Sequence, residues 1–406
     1  MKILKAKYIL LCDEKFTILQ DKAIVFDEKI AEICEFDTAI KKYPNSQIYY
    51  FNDDIVMPSF INTHTHLEFS ANATTLIYGD FIKWVGSIVN SRSKLSKKAT
   101  QNLIAKQIKI MQKSGVGTIG EISSFGGEAE ICAKSGARFV FFNEVLGANE
   151  SVVEANFANF MAKFEKSNEF KSDMFIPAVS VHSPYSTHKN LTKKVCEFAK
   201  SKNLIVSAHF MESLHEKKWL NSGTGEFKKW LGKFSPNPKP FYTPKEFLHH
   251  FDGVRTLFTH CVWFDEFGEF DQNLHFITTC GRSNRLLSKK YIDLKKLLKS
   301  NLSFNIGTDG LSSNLSLNFL DELRANLLIH ANIPLEKLAR ILLLGATSGG
   351  AKALNLNLGE LKSGKIADIA VFNGFKVTNL DQLPLQLILQ SKVAKALFIK
   401  GNLCKL

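Results

Sequence analysis

Two histidines separated by one residue are the first side chains in the sequence whose types and spacing suit catalysis. His64 and His66 end an apolar segment that begins at Met57. On a β-strand, residues i and i+2 point to the same side, so both imidazoles can contact one metal ion. Alone, such a pair is weak evidence, because isolated histidines are common on surfaces and in cores. Its meaning therefore depends on the rest of the chain.

Three later segments carry polar side chains in similar positions. His209 is followed after two residues by Glu212, and His260 and Asp309 each follow a short apolar run of their own. A single His at such a place usually packs in the core, and a single Asp before Gly usually forms a turn. Four imidazoles and two carboxylates at the ends of successive predicted strands are better explained as one site.

The elements that must position these residues alternate between strands and helices. Strands are predicted at residues 55–62, 116–122, 139–145, 175–181, 204–209, 256–261, 276–279 and 302–307. Amphipathic helices are predicted at residues 103–113, 152–164, 191–201, 319–329 and 335–344. Eight strands and their helices over about 250 residues predict an α/β fold, a (β/α)8 TIM-type barrel whose strand ends share one face.

The two ends of the chain have a different pattern. Strands are predicted at residues 3–11, 22–26, 47–51, 365–372 and 394–399. We expect residues 1–54 and 356–406 to form one small β-sandwich domain beside a barrel at residues 55–355. A long irregular insertion near residues 210–243 is interpreted as a substrate lid, with a merely decorative insertion as the alternative.

Charge and cysteine content limit the classes of function. The net charge is +13, from 52 Lys and Arg against 39 Asp and Glu, but no basic run resembles a nucleic-acid-binding arm. The seven cysteines are scattered, with no C-x-x-C pair, and no apolar stretch approaches the length of a membrane span. A cytoplasmic enzyme with free thiols is expected, with no nucleic-acid or membrane partner; a homodimer is left open.

The order H-x-H, H-x-x-E, T-H-C and G-T-D-G resembles the amidohydrolase superfamily, within it the branch of nucleobase and nucleoside deaminases and chlorohydrolases. The resemblance extends over nearly the whole chain and includes residues 57–62, 280–284 and 363–368. It implies one divalent ion held by His64, His66, His209 and Asp309. It also implies catalytic roles for Glu212, His260 and Asp309.

The resemblance also bears on the metal and the reaction. Some members bind two metals bridged by a modified Lys at the end of the fourth strand, whereas residues 180–184 contain no Lys, so one ion is expected. Zn²⁺ suits three imidazoles and a carboxylate, and Fe²⁺ suits them nearly as well. Activated water would attack a ring carbon while Glu212 protonates the neighbouring nitrogen. The same groups would also serve to expel chloride or to open a cyclic amide.

A narrower resemblance is to the 6-amino-6-deoxyfutalosine deaminases, which release ammonia from an adenine nucleoside in menaquinone synthesis. A small-molecule nucleoside is therefore the expected substrate. The alternatives are a broad adenosine, methylthioadenosine or S-adenosylhomocysteine deaminase, and a chlorohydrolase or cyclic-amide hydrolase. The side chains predicted to bind substrate are Trp84, Glu144, His182, Ser183, Ser283 and Asn284.

Overall fold

The computed structural model describes residues 1–91 and 97–406, with the backbone alone for residues 72–75 and 97–100. The strands, in chain order, are β1 (Lys2–Leu10), β2 (Ile18–Phe26), β3 (Ile30–Glu35), β4 (Gln47–Pro58), β5 (Phe60–Thr65), β6 (Val116–Ser123), β7 (Arg138–Val145), β8 (Phe175–Val181), β9 (Val206–Phe210), β10 (Thr256–His260), β11 (His275–Thr279), β12 (Phe304–Ile306), β13 (Ile369–Phe372), β14 (Ala396–Ile399) and β15 (Asn402–Leu403). The helices are α1 (Phe36–Lys42), α2 (Phe81–Ser91), α3 (Lys97–Lys113), α4 (Ala129–Lys134), α5 (Val153–Asn168), α6 (Lys189–Ser201), α7 (Leu214–Ser222), α8 (Glu226–Leu231), α9 (Pro244–His249), α10 (Gly281–Ser288), α11 (Leu294–Lys299), α12 (Phe319–Ile329), α13 (Leu335–Leu344), α14 (Gly350–Ala353) and α15 (Leu383–Gln390).

Strands β5 to β12 form the predicted barrel. They are hydrogen-bonded in sequence order, and each is parallel to the next. The first and last strands meet where the Thr63 hydroxyl donates to the Ile306 carbonyl at 3.1 Å and the Asp309 amide donates to the His64 carbonyl at 3.0 Å. The (β/α)8 prediction is confirmed, so the carboxyl ends of all eight strands share one face.

The prediction of a single first barrel strand at residues 55–62 is wrong. Strand β4 ends at Pro58 and belongs to the other sheet, where Ile55 pairs with both Tyr8 of β1 and Phe372 of β13. Strand β5 begins at Phe60. Pro58 and Ser59 mark the change of sheet, but the apolar residues on both sides of them favour one continuous strand in the sequence. The boundary expected between residues 54 and 55 therefore falls inside β4.

The second sheet joins both ends of the chain, as predicted. Its order is β15-β14-β13-β4-β1-β2-β3, so the pairing of β4 with β13 connects the amino-terminal strands to the carboxy-terminal ones. Along β1, Ile3 and Leu4 belong to different apolar clusters, as the alternation of side chains across a sheet requires. Strands β3 and β15 were not predicted, because both are short and β3 is mostly half-buried while β15 is exposed.

A buried ion pair fastens this sheet to the amino end of the barrel. Arg138, the first residue of β7, donates from Nη2 to both carboxylate oxygens of Asp368 at 3.2 Å and from Nη1 to the carbonyl of Asp173. The same carboxylate accepts the Lys400 amide at 2.7 Å. Asp368 ends the segment 363–368 that carried part of the family resemblance, and the ion pair gives that residue a structural role.

The insertion predicted to be irregular contains two helices. Helix α7 begins after Ser213, whose hydroxyl accepts the Glu216 amide, and α8 follows a turn at Gly223. Helices of nine and six residues are too short to show a clear 3.6-residue period, which explains the error. Trp219 is buried beneath them, whereas Trp230 is half-buried and lines a pocket at the carboxyl face of the barrel.

Two of the broader expectations can be compared with the structure. All seven cysteines are free thiols. Within residues 1–91 and 97–406, no helix has both the length and the apolar character that crossing a bilayer requires.

Candidate active site

The four predicted metal ligands meet at the carboxyl face of the barrel. His66 Nε2 lies 3.2 Å from His209 Nε2 and 3.7 Å from Asp309 Oδ1, and His64 Nε2 lies 3.9 Å from the same carboxylate oxygen. Donors bound at 2.0–2.1 Å to one tetrahedral ion are about 3.3 Å apart. The spacing of these side chains therefore suits a single divalent cation.

Two of these imidazoles are oriented by neighbours on other strands. His209 Nδ1 lies 2.8 Å from the carbonyl oxygen of His182, which can only accept, so Nδ1 carries the proton and Nε2 keeps its lone pair. His64 Nδ1 lies 3.2 Å from the hydroxyl of Thr259. Contacts of this kind fix the ring and the tautomer of a metal-binding histidine.

Several buried polar atoms point to the centre of this cluster without a partner. Among the described residues, His64 Nε2, His260 Nε2 and Glu212 Oε1 make no hydrogen bond. Buried polar atoms in native proteins are almost always paired, so such a group indicates a missing ligand. A cation and a water molecule would satisfy these atoms together.

The protonation states favour metal binding. Burial is the main cause that lowers the pKa of His64 well below its ordinary value and that of His209 to about 3. Burial would raise the pKa of Asp309, but the neighbouring His66, His64 and His260 outweigh it and hold that pKa below its usual range. Neutral imidazoles and an ionised carboxylate are the forms that bind a metal.

Close packing of the last barrel strand on the first completes the ligand set. A Cβ at Gly307 would lie 2.7 Å from the Cβ of His64, and one at Gly310 would lie 2.7 Å from the carbonyl oxygen of His66. Asp309, between them, has a φ of 58°. This left-handed backbone turns its carboxylate toward the histidines of β5.

Glu212 and His260, which the sequence predicts to act as acid and base, lie next to each other beside the candidate ligands. Glu212 Oε1 lies 3.5 Å from His260 Nε2. The turn that carries Glu212 is held by the carboxylate of Glu216, which accepts the amides of Met211 at 2.9 Å and Glu212 at 2.8 Å. Burial, with the charge of Asp309 as the next cause, raises the pKa of Glu212 well above its ordinary value. The raised pKa favours the protonated form of the Glu212 carboxyl group.

Three of the residues predicted to bind substrate have other partners. The Ser283 hydroxyl donates to Asp309 Oδ2 at 2.7 Å, and Asn284 Oδ1 lies 2.7 Å from His260 Nδ1. Ser183 is fully buried and lies 2.6 Å from the hydroxyl of Ser186. These three do not line the pocket above the site. Ser283 and Asn284 thus contact the candidate catalytic groups Asp309 and His260, and Ser183 contacts the neighbouring loop; substrate binding by these three residues stays a prediction.

The other three residues predicted to bind substrate line the pocket above the candidate metal ligands, which we call the inner pocket. Its floor is made by His66, His209, Asp309 and Glu212. Its walls include Trp84, Glu144 and His182. The indole N–H of Trp84 already donates to the carbonyl of Ser312 at 2.7 Å, so the ring offers its face to a ligand. Glu144 accepts the Ser124 hydroxyl at 2.6 Å with Oε2, and its Oε1 has no partner among the described residues.

Sequence reasoning did not single out two pocket serines. Ser186 Oγ lies 2.5 Å from His182 Nδ1, and Ser124 contacts Glu144. Neither lies in a motif, and isolated serines give no signal. Only the positions of His182 and Glu144 at strand ends pointed to this wall, since residues next to a strand end lie near the site.

The amidohydrolase family matches residues 55–404 of the chain. The chain belongs to this family. A relative named aminodeoxyfutalosine deaminase, from Nitratiruptor sp., is 39% identical over 391 residues, covering 95% of this chain and 96% of that protein. One named adenosine deaminase, from Helicobacter pylori, is 38% identical and covers 99% of both chains. The crystal structure of Helicobacter pylori aminofutalosine deaminase with methylthio-coformycin matches with a TM-score of 0.95, 37% identity and full coverage of both chains.

Membership in this family agrees with the geometry of the site. Amidohydrolases generally bind a divalent metal at the carboxyl face of the barrel, and the clusters His64–His66–Asp309 and Glu212–His260–Asp309 lie at that face in this amidohydrolase. The resemblance recognised in the sequence motifs is confirmed for nearly the whole length of the chain.

Proposed function

We propose that this amidohydrolase converts 6-amino-6-deoxyfutalosine to futalosine and ammonia, by hydrolytic removal of the amino group at C6 of the adenine. The observation that carries the proposal is the buried Glu212, whose Oε1 lies 3.5 Å from His260 Nε2, beside the candidate metal ligands. A sequence identity of 39% to aminodeoxyfutalosine deaminase over almost the whole chain supports the choice of substrate.

One zinc ion held by His64, His66, His209 and Asp309 is the proposed cofactor. Three neutral imidazoles and one carboxylate are a donor set that zinc prefers, and Fe²⁺ is the alternative. When bound, such an ion lowers the pKa of water toward neutrality, so that water becomes a nucleophile at physiological pH.

His260 is proposed as the base. Its Nδ1 lies 2.7 Å from Asn284 Oδ1, an acceptor, so Nδ1 carries the proton and Nε2 is free to accept one from the attacking water. Burial lowers the pKa of His260, which keeps the ring neutral and able to accept. Asp309 Oδ2, 4.0 Å from the same nitrogen, orients the water beside it.

Glu212 is proposed as the acid. Because its pKa is raised, it enters the reaction protonated and can donate to N1 of the adenine as the water oxygen bonds to C6. Proton transfer to the exocyclic nitrogen then breaks the C6–N bond, and ammonia leaves. General acid–base groups of this kind contribute about 10²- to 10⁴-fold each to the rate.

The walls of the inner pocket suit the rest of the nucleoside. We propose that the face of Trp84 packs against the substrate, and that His182 and the unpartnered Oε1 of Glu144 contact polar atoms of the base and ribose. An acceptor carboxylate pairs well with the hydroxyl donors of a ribose.

The direct test is an assay of the purified, zinc-loaded enzyme with 6-amino-6-deoxyfutalosine, adenosine, methylthioadenosine and S-adenosylhomocysteine. Formation of the hypoxanthine product is followed by absorbance and ammonia by a coupled assay. We expect the highest kcat/KM with 6-amino-6-deoxyfutalosine. Equal rates with all four would replace the narrow substrate by a broad one. Turnover of a chlorinated ring or a cyclic amide, but of no adenine nucleoside, would overturn the deaminase assignment.

A variant separates the chemistry from metal binding. Glu212→Gln keeps the side-chain volume but holds no acidic proton, so we expect kcat to fall about 10²- to 10⁴-fold with zinc content unchanged. The matched control is Glu226→Gln on the exposed start of α8, which should leave kcat unchanged. Undiminished turnover by the Glu212 variant would show that another group is the acid.

A further inference from the structure

A second pocket lies beside the inner pocket, at the outer side of α2 and α8. We call it the outer pocket; its volume is about 580 Å³, and its walls include Ile82, Lys83, Val89, Trp230, Lys233 and Phe234. Trp230, Lys233 and Phe234 belong to the insertion interpreted as a substrate lid, and Ile82, Lys83 and Val89 lie on α2. The outer pocket is open to solvent, whereas the metal ligands lie at the floor of the inner one.

The two pockets have two wall residues in common. Val89, on α2, and Trp230, on α8, line both the inner and the outer pocket. These two side chains therefore lie between the pockets, which are neighbours. A substituent that extends from a ligand over Glu212 and His260 toward Val89 and Trp230 points to the outer pocket.

The walls of the outer pocket are aromatic and aliphatic. The ring centroids of Trp230 and Phe234 are 5.2 Å apart, and Phe234 is 66% exposed. Large exposed aromatic side chains at a pocket mouth favour flat apolar ligands. An aromatic ring on the substituent would bury the exposed faces of both residues.

The charge of the outer pocket is positive. Lys83 and Lys233 contribute to its wall, and none of the residues recorded along that wall is acidic. Within the part of the chain that the structure describes, neither ammonium group has an ion pair, whereas the nearby Lys229 pairs with Glu226 at 2.7 Å. Two uncompensated cations beside an apolar surface attract an anionic group on an apolar body.

We propose that the outer pocket is a subsite for an aromatic carboxylate carried at the 5′ end of the nucleoside. This inference rests on the proposed function, because it assumes that the adenine occupies the inner pocket. Lys83 and Lys233 bind the carboxylate, and Trp230 with Phe234 packs against the ring. The subsite makes the enzyme specific for an acidic nucleoside over adenosine and methylthioadenosine, which carry no such group.

The test compares two substrates in matched lysine variants. The variants are Lys83→Met, Lys233→Met and the double variant, and the control is Lys228→Met, an exposed lysine of α8 outside the pocket wall. Each substrate, 6-amino-6-deoxyfutalosine with its aromatic carboxylate and neutral methylthioadenosine, is assayed with every variant at low and high salt.

For the double variant we expect kcat/KM with 6-amino-6-deoxyfutalosine to fall about 10- to 100-fold, mainly through KM, since a hydrogen bond to a charged group contributes about 1.5–3 kcal/mol. With methylthioadenosine the change should stay within about twofold, and the salt dependence seen with the acidic substrate should weaken. The control should match the wild type.

Equal losses with both substrates would overturn the subsite, since they would indicate a general structural role of the lysines. Unchanged kinetics with both would overturn it as well, while leaving the deaminase function intact. If the wild-type enzyme deaminated neither nucleoside, the proposed function itself would fail, and the subsite with it.

Discussion

Two clusters of buried polar side chains, one at each end of the barrel, differ in whether their polar atoms are paired. At the amino end, the Arg138 guanidinium and the Asp368 carboxylate are fully buried, and every polar atom of the pair has a partner. At the carboxyl end, His64, His260 and Glu212 each leave a buried atom unpartnered among the described residues. A complete set of partners indicates a structural role, and an incomplete set indicates a place for a ligand.

The largest effect is expected at the incomplete end, with Asp309→Asn. Loss of the only proposed carboxylate ligand should cost zinc affinity and lower kcat/KM by about 10³-fold or more, because the metal contributes several kcal/mol to the transition state. Metal content after dialysis and steady-state kinetics check this. The metal-free variant should unfold at nearly the same urea concentration as the metal-free wild type. A variant that kept its zinc would contradict the ligand assignment.

At the Arg138–Asp368 ion pair, a substitution should change the free energy of unfolding rather than metal binding. Arg138→Met leaves the carboxylate of Asp368 buried without its cation, which should lower the free energy of unfolding by about 3–5 kcal/mol. Urea unfolding measures this, and zinc per folded protein should not change. The double variant Arg138→Met with Asp368→Leu should recover much of the loss, since it removes the unpaired charge. If the single variant lost zinc as well as stability, the ion pair would not have the purely structural role assigned to it.

A smaller effect is expected from Asn284→Leu, because Asn284 acts on the site only through its contact with His260. His260 would lose the partner that fixes its tautomer, and such supporting contacts are worth about 10- to 100-fold in activity. We expect kcat to fall with KM unchanged. Asn284→Asp keeps an acceptor oxygen and should restore part of the rate. Failure of this rescue would assign Asn284 a packing role alone.

The smallest effect is expected from Ser186→Ala. The hydroxyl contacts His182 Nδ1, and loss of one neutral hydrogen bond costs about 0.5–1.5 kcal/mol, or about two- to tenfold. Because His182 lines the substrate pocket rather than the reacting centre, KM should rise while kcat stays constant. A loss confined to kcat would place His182 in the chemistry.

The sequence was sufficient for the barrel and for the candidate metal site because both depend on local patterns. Strand-length apolar runs predicted the eight parallel strands, and the positions of His209 and Asp309 at strand ends predicted that they would meet. Seven of the eight predicted strands overlap the observed ones closely; the strand at residues 55–62 is the exception, since the same apolar run serves two sheets.

What could not be predicted depends on partners that are remote in the chain. Nothing near Ser283 indicates that it donates to Asp309, and nothing near Arg138 indicates Asp368, 230 residues away. The short helices α7 and α8 form over buried side chains such as Trp219 and Phe227 rather than from a strong local period. These contacts arise from packing, which a one-dimensional pattern does not record.

The close approach of Gly307 and Gly310 to the histidines of β5 has a consequence for how the enzyme is made. During synthesis His64 and His66 leave the ribosome early, whereas Asp309 follows only after most of the barrel. The full ligand set therefore exists only once the last strand has docked on the first. With the proposed ligands, a nascent chain would complete its metal site only at the end of synthesis, so metal loading would report that the barrel has closed.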